Sequence, residues 1–255
     1  MSFRIPSHVF GKPVEGAIER LLKGTPPISS PMPAIPQRVT PAQNRDVDKG
    51  KYIILEGRTH GIYSYPDMLV PMQRAYLGKN WNQAYDALRA EDAHMLTIRQ
   101  FADFLKLIKS GNAFDGNGSH VARVALTNCL NDIIEVRDPW RAEWLDASFK
   151  IVGRKMQISY NVLQNGVATR VTAPAKDYLN RDRTPGIAFN AWLDNATEQG
   201  LPSARIAKGD LYYWKPLDGA VAGFDANSGR ADLVCNWDPQ ITNPELGVRA
   251  ARVKK

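Results

Sequence analysis

Residues 211–237 read LYYWKPLDGAVAGFDANSGRADLVCNW, and this stretch decides the fold class. Three short β-prone runs, 211–214, 220–224 and 231–235, are separated by the turn pairs Asp218-Gly219 and Ser228-Gly229. Tyr, Trp, Val and Phe favour pleated backbone, and Gly supplies the φ > 0 that tight turns need. Turns at such short intervals leave no room for crossover helices, so the stretch reads as a compact antiparallel meander. Alternation along its first strand sends Tyr213 to the face opposite Tyr212 and Trp214. Residues 246–253 read as one further strand.

Working back from this stretch, residues 185–195 read as a short helix carrying Ile187, Trp192 and Leu193. Residues 156–163 alternate, with Met156, Ile158, Tyr160 and Val162 on one side. Asn165-Gly166 and then Val167, Thr169 and Val171 complete a hairpin signal. Before Trp144 the pattern is helical. Asn80 caps a helix over 80–90 whose face is Trp81, Ala84, Tyr85 and Leu88. Thr97 caps another, with Gln100 three residues on as a capping box, a stripe of Ile98, Phe101, Leu105 and Ile108, and Gly111 as its stop. Residues 112–119 are a Gly/Asn-rich loop, and 119–136 read as a helix or a strand–helix mixture. Residues 51–56 (KYIILE) form a strand. Helices early and strands late give an α+β fold.

Residues 1–47 differ from the rest. Residues 13–24 read as one short helix, with Val14, Ala17, Ile18, Leu21 and Leu22 on one face. Six prolines follow between Thr25 and Pro41. They remove donors and fix φ, so this stretch reads as an extended linker or strap. The main domain is expected over residues 48–255.

Of the 255 residues, 44% are hydrophobic and 23% charged, which excludes a collagenous or wholly disordered chain. No run of 18 apolar residues occurs, so membrane insertion is not expected, and no apolar core of a Sec signal peptide opens the chain. The net charge of +7 serves solubility or association with anionic partners, but the two signs are mixed. Cys129 and Cys235 form no metal-ligand spacing and read as small buried residues. His8, His60, His94 and His120 are scattered, with no HExxH. The stretch GNAFDGNGS lacks the Lys-Ser/Thr of a phosphate loop, and there is no GxSxG. No catalytic residue, metal ligand or cofactor is therefore assigned. Contact chemistry is denser: Tyr, Trp, Asn, Asp, Arg and Gly crowd residues 212–244, and such residues suit adaptable binding surfaces. NWDPQITNPE reads as a long surface connection. Its Trp237 either folds back onto the core or presents its ring to a ligand.

The runs YYWKP, VAGFDANSGRADLVCNWDP and LGVRAAR resemble the variable proteins of diversity-generating retroelements, in particular the archaeal and archaeal-virus branch. EWLDASF and TPGIAFNAWLDNATEQGLP resemble the lead-in of the same proteins, and the helix after MLTIRQF resembles that of formylglycine-generating-enzyme-like C-type lectin domains. The resemblance covers roughly residues 48–255. It implies a C-type lectin fold in which the terminal strands, 51–56 and 246–253, pair, completed by two main helices, a small twisted antiparallel sheet and a C-terminal β meander. It also implies a variable region over about 212–245, rewritten by error-prone reverse transcription at adenines. A fixed skeleton of Trp214, Val221, Phe224, Ala226, Leu233, Leu246 and Val248 would hold it. The implied variable, ligand-facing positions are Lys215, Asp218, Asp225, Asn227, Gly229, Arg230, Asp232, Asn236, Trp237, Asp238, Gln240, Thr242 and Asn243. Adenine-randomised Asn codons do not yield Lys, Trp or Gln, so Lys215, Trp237 and Gln240 come from other codons or are fixed.

The function this implies is non-enzymatic attachment to an unknown surface ligand, protein or glycan, at a virion or cell surface. Two alternatives stand beside it. A formylglycine-generating-enzyme-like oxidase needs a late cysteine pair, and only Cys235 is present there. A basic nucleic-acid-binding module needs a cationic stripe interleaved with aromatics, which is missing, so nucleic acid is not the expected partner. NWDP and TNPE only echo the calcium- and sugar-binding triplets of lectins, so calcium is not expected either.

Overall fold

The structure, a computed structural model, describes residues 48–164 and 167–255 together with two short strands near the N-terminus. The chain divides into two units, Met1–Gln43 and Asn44–Lys255. In the first, β1 (His8–Val9) and β2 (Lys12–Pro13) pair antiparallel. The helix expected over 13–24 and the proline-rich strap lie outside the described residues.

The second unit is mixed α/β, in keeping with the α+β expectation. Its strands are β3 (Tyr52–Leu55), β4 (Arg58–His60), β5 (Tyr63–Tyr65), β6 (Met68–Pro71), β7 (Arg141–Val152), β8 (Lys155–Gln164), β9 (Val167–Pro174), β10 (Arg183–Ile187), β11 (Leu211–Trp214), β12 (Val221–Ala226), β13 (Ala231–Trp237), β14 (Leu246–Gly247) and β15 (Arg252–Val253). Its helices, among the described residues, are α1 (Trp81–Ala90), α2 (Ile98–Ser110), α3 (Arg123–Ile134) and α4 (Phe189–Asn195).

The capping chemistry sets the first two helices where the sequence places them. Asn80 and Thr97 each accept a bond from the N–H three residues on, and the side-chain oxygens of Gln83 and Gln100 accept one from the cap N–H. Gly111 ends α2 at φ +72°, a left-handed stop. The stretch over 119–136 resolves as α3. The helix expected from 185 starts later, at Phe189, because Pro185, Gly186 and Ile187 belong to β10. Gly186 packs so closely on β11 that a Cβ there would lie 2.0 Å from the Leu211 carbonyl oxygen.

The large sheet runs β10-β11-β13-β12-β7-β8-β9, with β14 added beside β7. The β8–β9 hairpin closes in the expected register, Gln164 opposite Val167. The meander is corrected. β11 pairs parallel with β13, not antiparallel with β12, which lies between β13 and β7. The connection from β11 is spent docking onto β7 instead of closing a hairpin. Gly219 donates to the Phe149 carbonyl, Phe149 donates to Ala220, and Asp218 accepts from the Ile151 N–H at 2.7 Å.

The expected pairing of terminal strands is also corrected: β6 stands between them, in the order β15-β6-β3. The single strand expected over 246–253 is broken in two. Leu246–Gly247 joins β7 and Arg252–Val253 joins β6, with bridges from Val248 to Ala75 and from Ala251 to His94 between them.

Two cores lie on the two faces of the large sheet. Phe101, Trp192, Tyr213, Phe224 and Leu233 belong to one, and Trp81, Leu88, Trp144, Val221, Leu246 and Val248 to the other. β7 feeds both, Leu145 and Ala147 on one face and Ala142 and Trp144 on the other. A strand buried on both faces loses its polar/apolar alternation.

Candidate functional site

The register of β11, β13, β12 and β7 sorts the side chains of the C-terminal region. Tyr213, Leu233 and Phe224 turn into the main core and are fully buried. On the opposite face the same strands carry Tyr212 and Trp214 on β11, Asp232 on β13 and Asp225 on β12. Tyr212 stands opposite Asp232 and Asp232 opposite Asp225.

These residues form a continuous strip. At one end the Arg230 guanidinium lies over the Tyr212 ring, 4.8 Å from its centroid, and its Nε donates to Asp232 at 3.0 Å. The Trp214 indole donates to the same Asp232 oxygen at 3.2 Å, and the Asn227 amide donates to the other at 3.0 Å. Asp225 comes next, cross-strand from Asp232, and faces the Trp140 indole. Trp140 in turn contacts Trp237 edge-on at 6.1 Å, and Trp237 contacts Trp144 at 5.4 Å. Tyr212, Trp214, Arg230, Trp140 and Trp237 are half-buried, so each presents part of its surface to solvent. Beside the Tyr212–Arg230 end opens a groove of about 440 Å³, walled by Ile134, Val136, Pro185, Phe189 and Leu211 with Asp210 at its edge.

Electrostatics single out the carboxyl pair. Burial, then the neighbouring Asp232 charge, pushes the Asp225 carboxyl up to about 7, so this acid holds its proton close to neutrality. Among the described residues the cation paired with them is Arg230, which is bound to Asp232.

The expected variable positions scatter more than the resemblance implies. Asp225, Asn227, Gly229, Arg230, Asp232 and Trp237 come together in or beside the strip. Asp225 and Asp232 are corrected from outward-facing to buried, 6% and 2% exposed, because their mutual register holds both under the Arg230 and indole layer. Asn227 is a turn-builder as well, its side-chain oxygen accepting from the Gly229 and Arg230 N–H groups. Trp237 folds back onto the core in part. Its ring covers Gly223, where a Cβ would lie 2.1 Å from it, yet one side stays accessible. Asn236 is half-buried beside it. Gln240 reaches the cap of α1, accepting from the Asn80 amide at 3.2 Å. Asp238 and Asn243 bond to their own loop backbone, and Thr242 is exposed. Lys215 and Asp218 lie apart, the first with its N–H on Asp182 and the second docked on β7. Trp140 went unassigned in the sequence reading, because only the Ala226–Arg141 register places it beside Asn227 and Asp225.

Elsewhere, polar clusters act as anchors. Asp103 on α2 accepts from Tyr65 at 2.6 Å, Arg99 at 2.8 Å and His60 at 2.8 Å, pinning the β4–β5 hairpin to the helix. Cys129 and Cys235 are free and buried, and burial pushes both thiols up, which works against thiolate chemistry at either. Among the described residues no group of three or more His, Cys, Asp or Glu converges on a metal-sized point, and no helix is long and apolar enough to cross a membrane.

No protein-family model, no curated protein and no solved structure matches the chain.

Proposed function

We propose that the protein is a non-enzymatic binder that engages a surface ligand, protein or glycan, through the strip running from Tyr212 and Arg230 to Trp140 and Trp237. The observation that carries this reading is the exposure pattern of one sheet face. Half-buried Trp, Tyr and Arg side chains line up over a backbone whose other face is fully buried. Rigid aromatic and guanidinium groups give large contact area at low entropy cost and dominate interface energetics. The apolar groove beside Arg230 extends the contact surface.

On this reading the fold is of the C-type lectin type, and the surface is diversified by a retroelement. The interlocking of Asp225, Asn227 and Asp232 narrows the freely variable set. Gly229, Arg230, Asn236, Asp238, Gln240 and Thr242 can change with little effect on packing, Trp237 is tied to the core by one side of its ring, and the two acids must change together. The test is deep sequencing of the gene's 3′ end and downstream flank in a natural population. Substitutions concentrated at these positions and traceable to adenines in a nearby near-repeat support the reading. An invariant region without a repeat removes diversification and leaves a binder of fixed specificity. Arrays of glycans and surface proteins, probed with wild type and Arg230→Ala, test binding itself. A hit that the variant retains at full strength argues against the strip.

A further inference from the structure

A second site lies away from this strip, where α3, β7 and the segment between β14 and β15 meet. Four guanidiniums gather there around two carboxylates. Arg141 donates to Glu143 at 2.7 Å and to Asp132 at 3.1 Å. Arg249 Nε stands 3.0 Å from the other Glu143 oxygen, at ion-pair distance but without hydrogen-bond alignment, and its Nη2 is 4.0 Å from Asp132. Arg137 reaches Asp132 at 3.5 Å. Arg74 donates to the Ala142 and Glu245 carbonyls and feels the charges of Arg141, Glu143, Asp132 and Arg249. Arg141, Arg249 and Glu143 are each 1% exposed.

The cluster carries more positive charge than its carboxylates neutralise. It also leaves buried donors without a hydrogen bond among the described residues: Nε of Arg137 and Arg141, and Nη2 of Arg249. An unpaired buried donor is costly, more so when charged, so such a group calls for a water or an ion. A groove of about 490 Å³ borders the cluster: Arg74 and Asp132 line it from the cluster, beside Gln73, Asn128 and Cys129, with Met72, Leu77 and Ala125 as an apolar side and the Arg141–Arg249 pair buried behind. Arg74 stays charged at neutral pH although burial lowers it to about 10.

We propose that this groove binds an oxyanion, a carboxylate or phosphate on a short apolar body, with Arg74 as its first contact and the buried Arg141–Arg249 pair supplying the field behind it. The guanidinium fork matches both oxyanions in geometry. The excess charge and idle donors select an anion. The Met72–Leu77–Ala125 wall selects a body larger than a bare ion, and the volume suits a small organic molecule.

The experiment follows the unfolding midpoint of the full chain at fixed ionic strength against rising chloride, inorganic phosphate, malonate and pentanoate. Phosphate or a carboxylate is expected to raise the midpoint saturably where chloride does not, with pentanoate binding more tightly than acetate in a paired control. Arg74→Gln is expected to weaken that binding at least tenfold, and Ala125→Phe, which fills the groove without touching a charge, to abolish it. Equal responses to chloride and the oxyanions, or an unchanged response in a folded Arg74→Gln or Ala125→Phe, would overturn the proposal. A saturable response to phosphate but not to pentanoate overturns the apolar body alone. None of these outcomes bears on the aromatic strip.

Discussion

Glu143 and Asp225 sit on paired strands, Glu143 opposite the residue that precedes Asp225, and both are buried. Their side chains leave opposite faces of the same sheet and meet opposite fates. At Glu143, burial pushes the carboxyl up, but the Arg141 and Arg249 guanidiniums outweigh it and hold it below the ordinary range. At Asp225 a second carboxylate takes the place of a cation, and the carboxyl rises to about 7. A single sheet thus carries one acid tied into its frame and another held near its titration point beneath half-exposed aromatic rings. Buried charge is tolerated where it is paired; where it is left unpaired close to solvent, function is the usual reason.

The largest effect is expected on the paired face. Glu143→Gln leaves two buried guanidiniums with only the half-exposed Asp132 as carboxylate and should cost about 3 kcal/mol in urea unfolding at pH 7. A cost under about 1 kcal/mol would erase the contrast between the two acids.

Asp225 makes the next largest prediction, with a definite sign. Between pH 4 and pH 7 the unfolded acid has released its proton while the folded one keeps it. This group therefore removes stability as pH rises through that window, and its penalty is complete above about 7. Glu143 has the opposite sign: its contribution is present above the ordinary Glu range and is lost as pH falls through its lowered folded value. Asp225→Asn mimics the protonated acid. It should match wild type below about pH 4, where the wild-type acid is protonated in both states, and exceed it at pH 8 by on the order of 2 kcal/mol. Parallel pH profiles for the two proteins would place Asp225 in an ordinary carboxylate environment.

Trp237→Ala removes a half-buried ring from Gly223, Trp140 and Trp144. The expected loss is roughly 2 kcal/mol, below that of a fully buried Trp, and chemical denaturation reads it directly. A loss as large as that of Glu143→Gln would make Trp237 a core residue and shorten the strip. The smallest effect belongs to Arg230→Ala, whose partly exposed ion pair should contribute under about 1 kcal/mol to stability. Its signature is lost ligand capture with an unchanged melting curve. An unfolded variant would move Arg230 to the structural side of the comparison.

The parts of the fold legible in the sequence are those with local causes. Asn80 and Gln83, Thr97 and Gln100, and Gly111 mark the ends of α1 and α2 through bonds made within four residues. The Asn-Gly step marks the β8–β9 hairpin by its turn chemistry. β7 left little signal because its first seven residues are buried on both faces. β6 is a four-residue strand whose neighbours come from opposite ends of the domain. At the site, contact chemistry over 212–244 was legible from composition alone. The burial of Asp225 and Asp232 was not, since an Asp in a polar stretch reads as solvated until a cross-strand neighbour covers it.

By itself the sequence determined the turns, the helix caps, the alternation that buries Tyr213 between Tyr212 and Trp214, and the crowding of aromatic and polar residues near the C-terminus. All of these follow from φ preferences, local hydrogen bonds and side-chain period. Only the tertiary structure decided that β11 runs parallel to β13, that β6 separates the terminal strands, that Trp140 completes the strip, and that Arg74, Arg141 and Arg249 converge with Glu143. Each depends on pairing between residues distant in sequence, and that pairing is settled by the burial of whole faces, to which no local window of the chain responds.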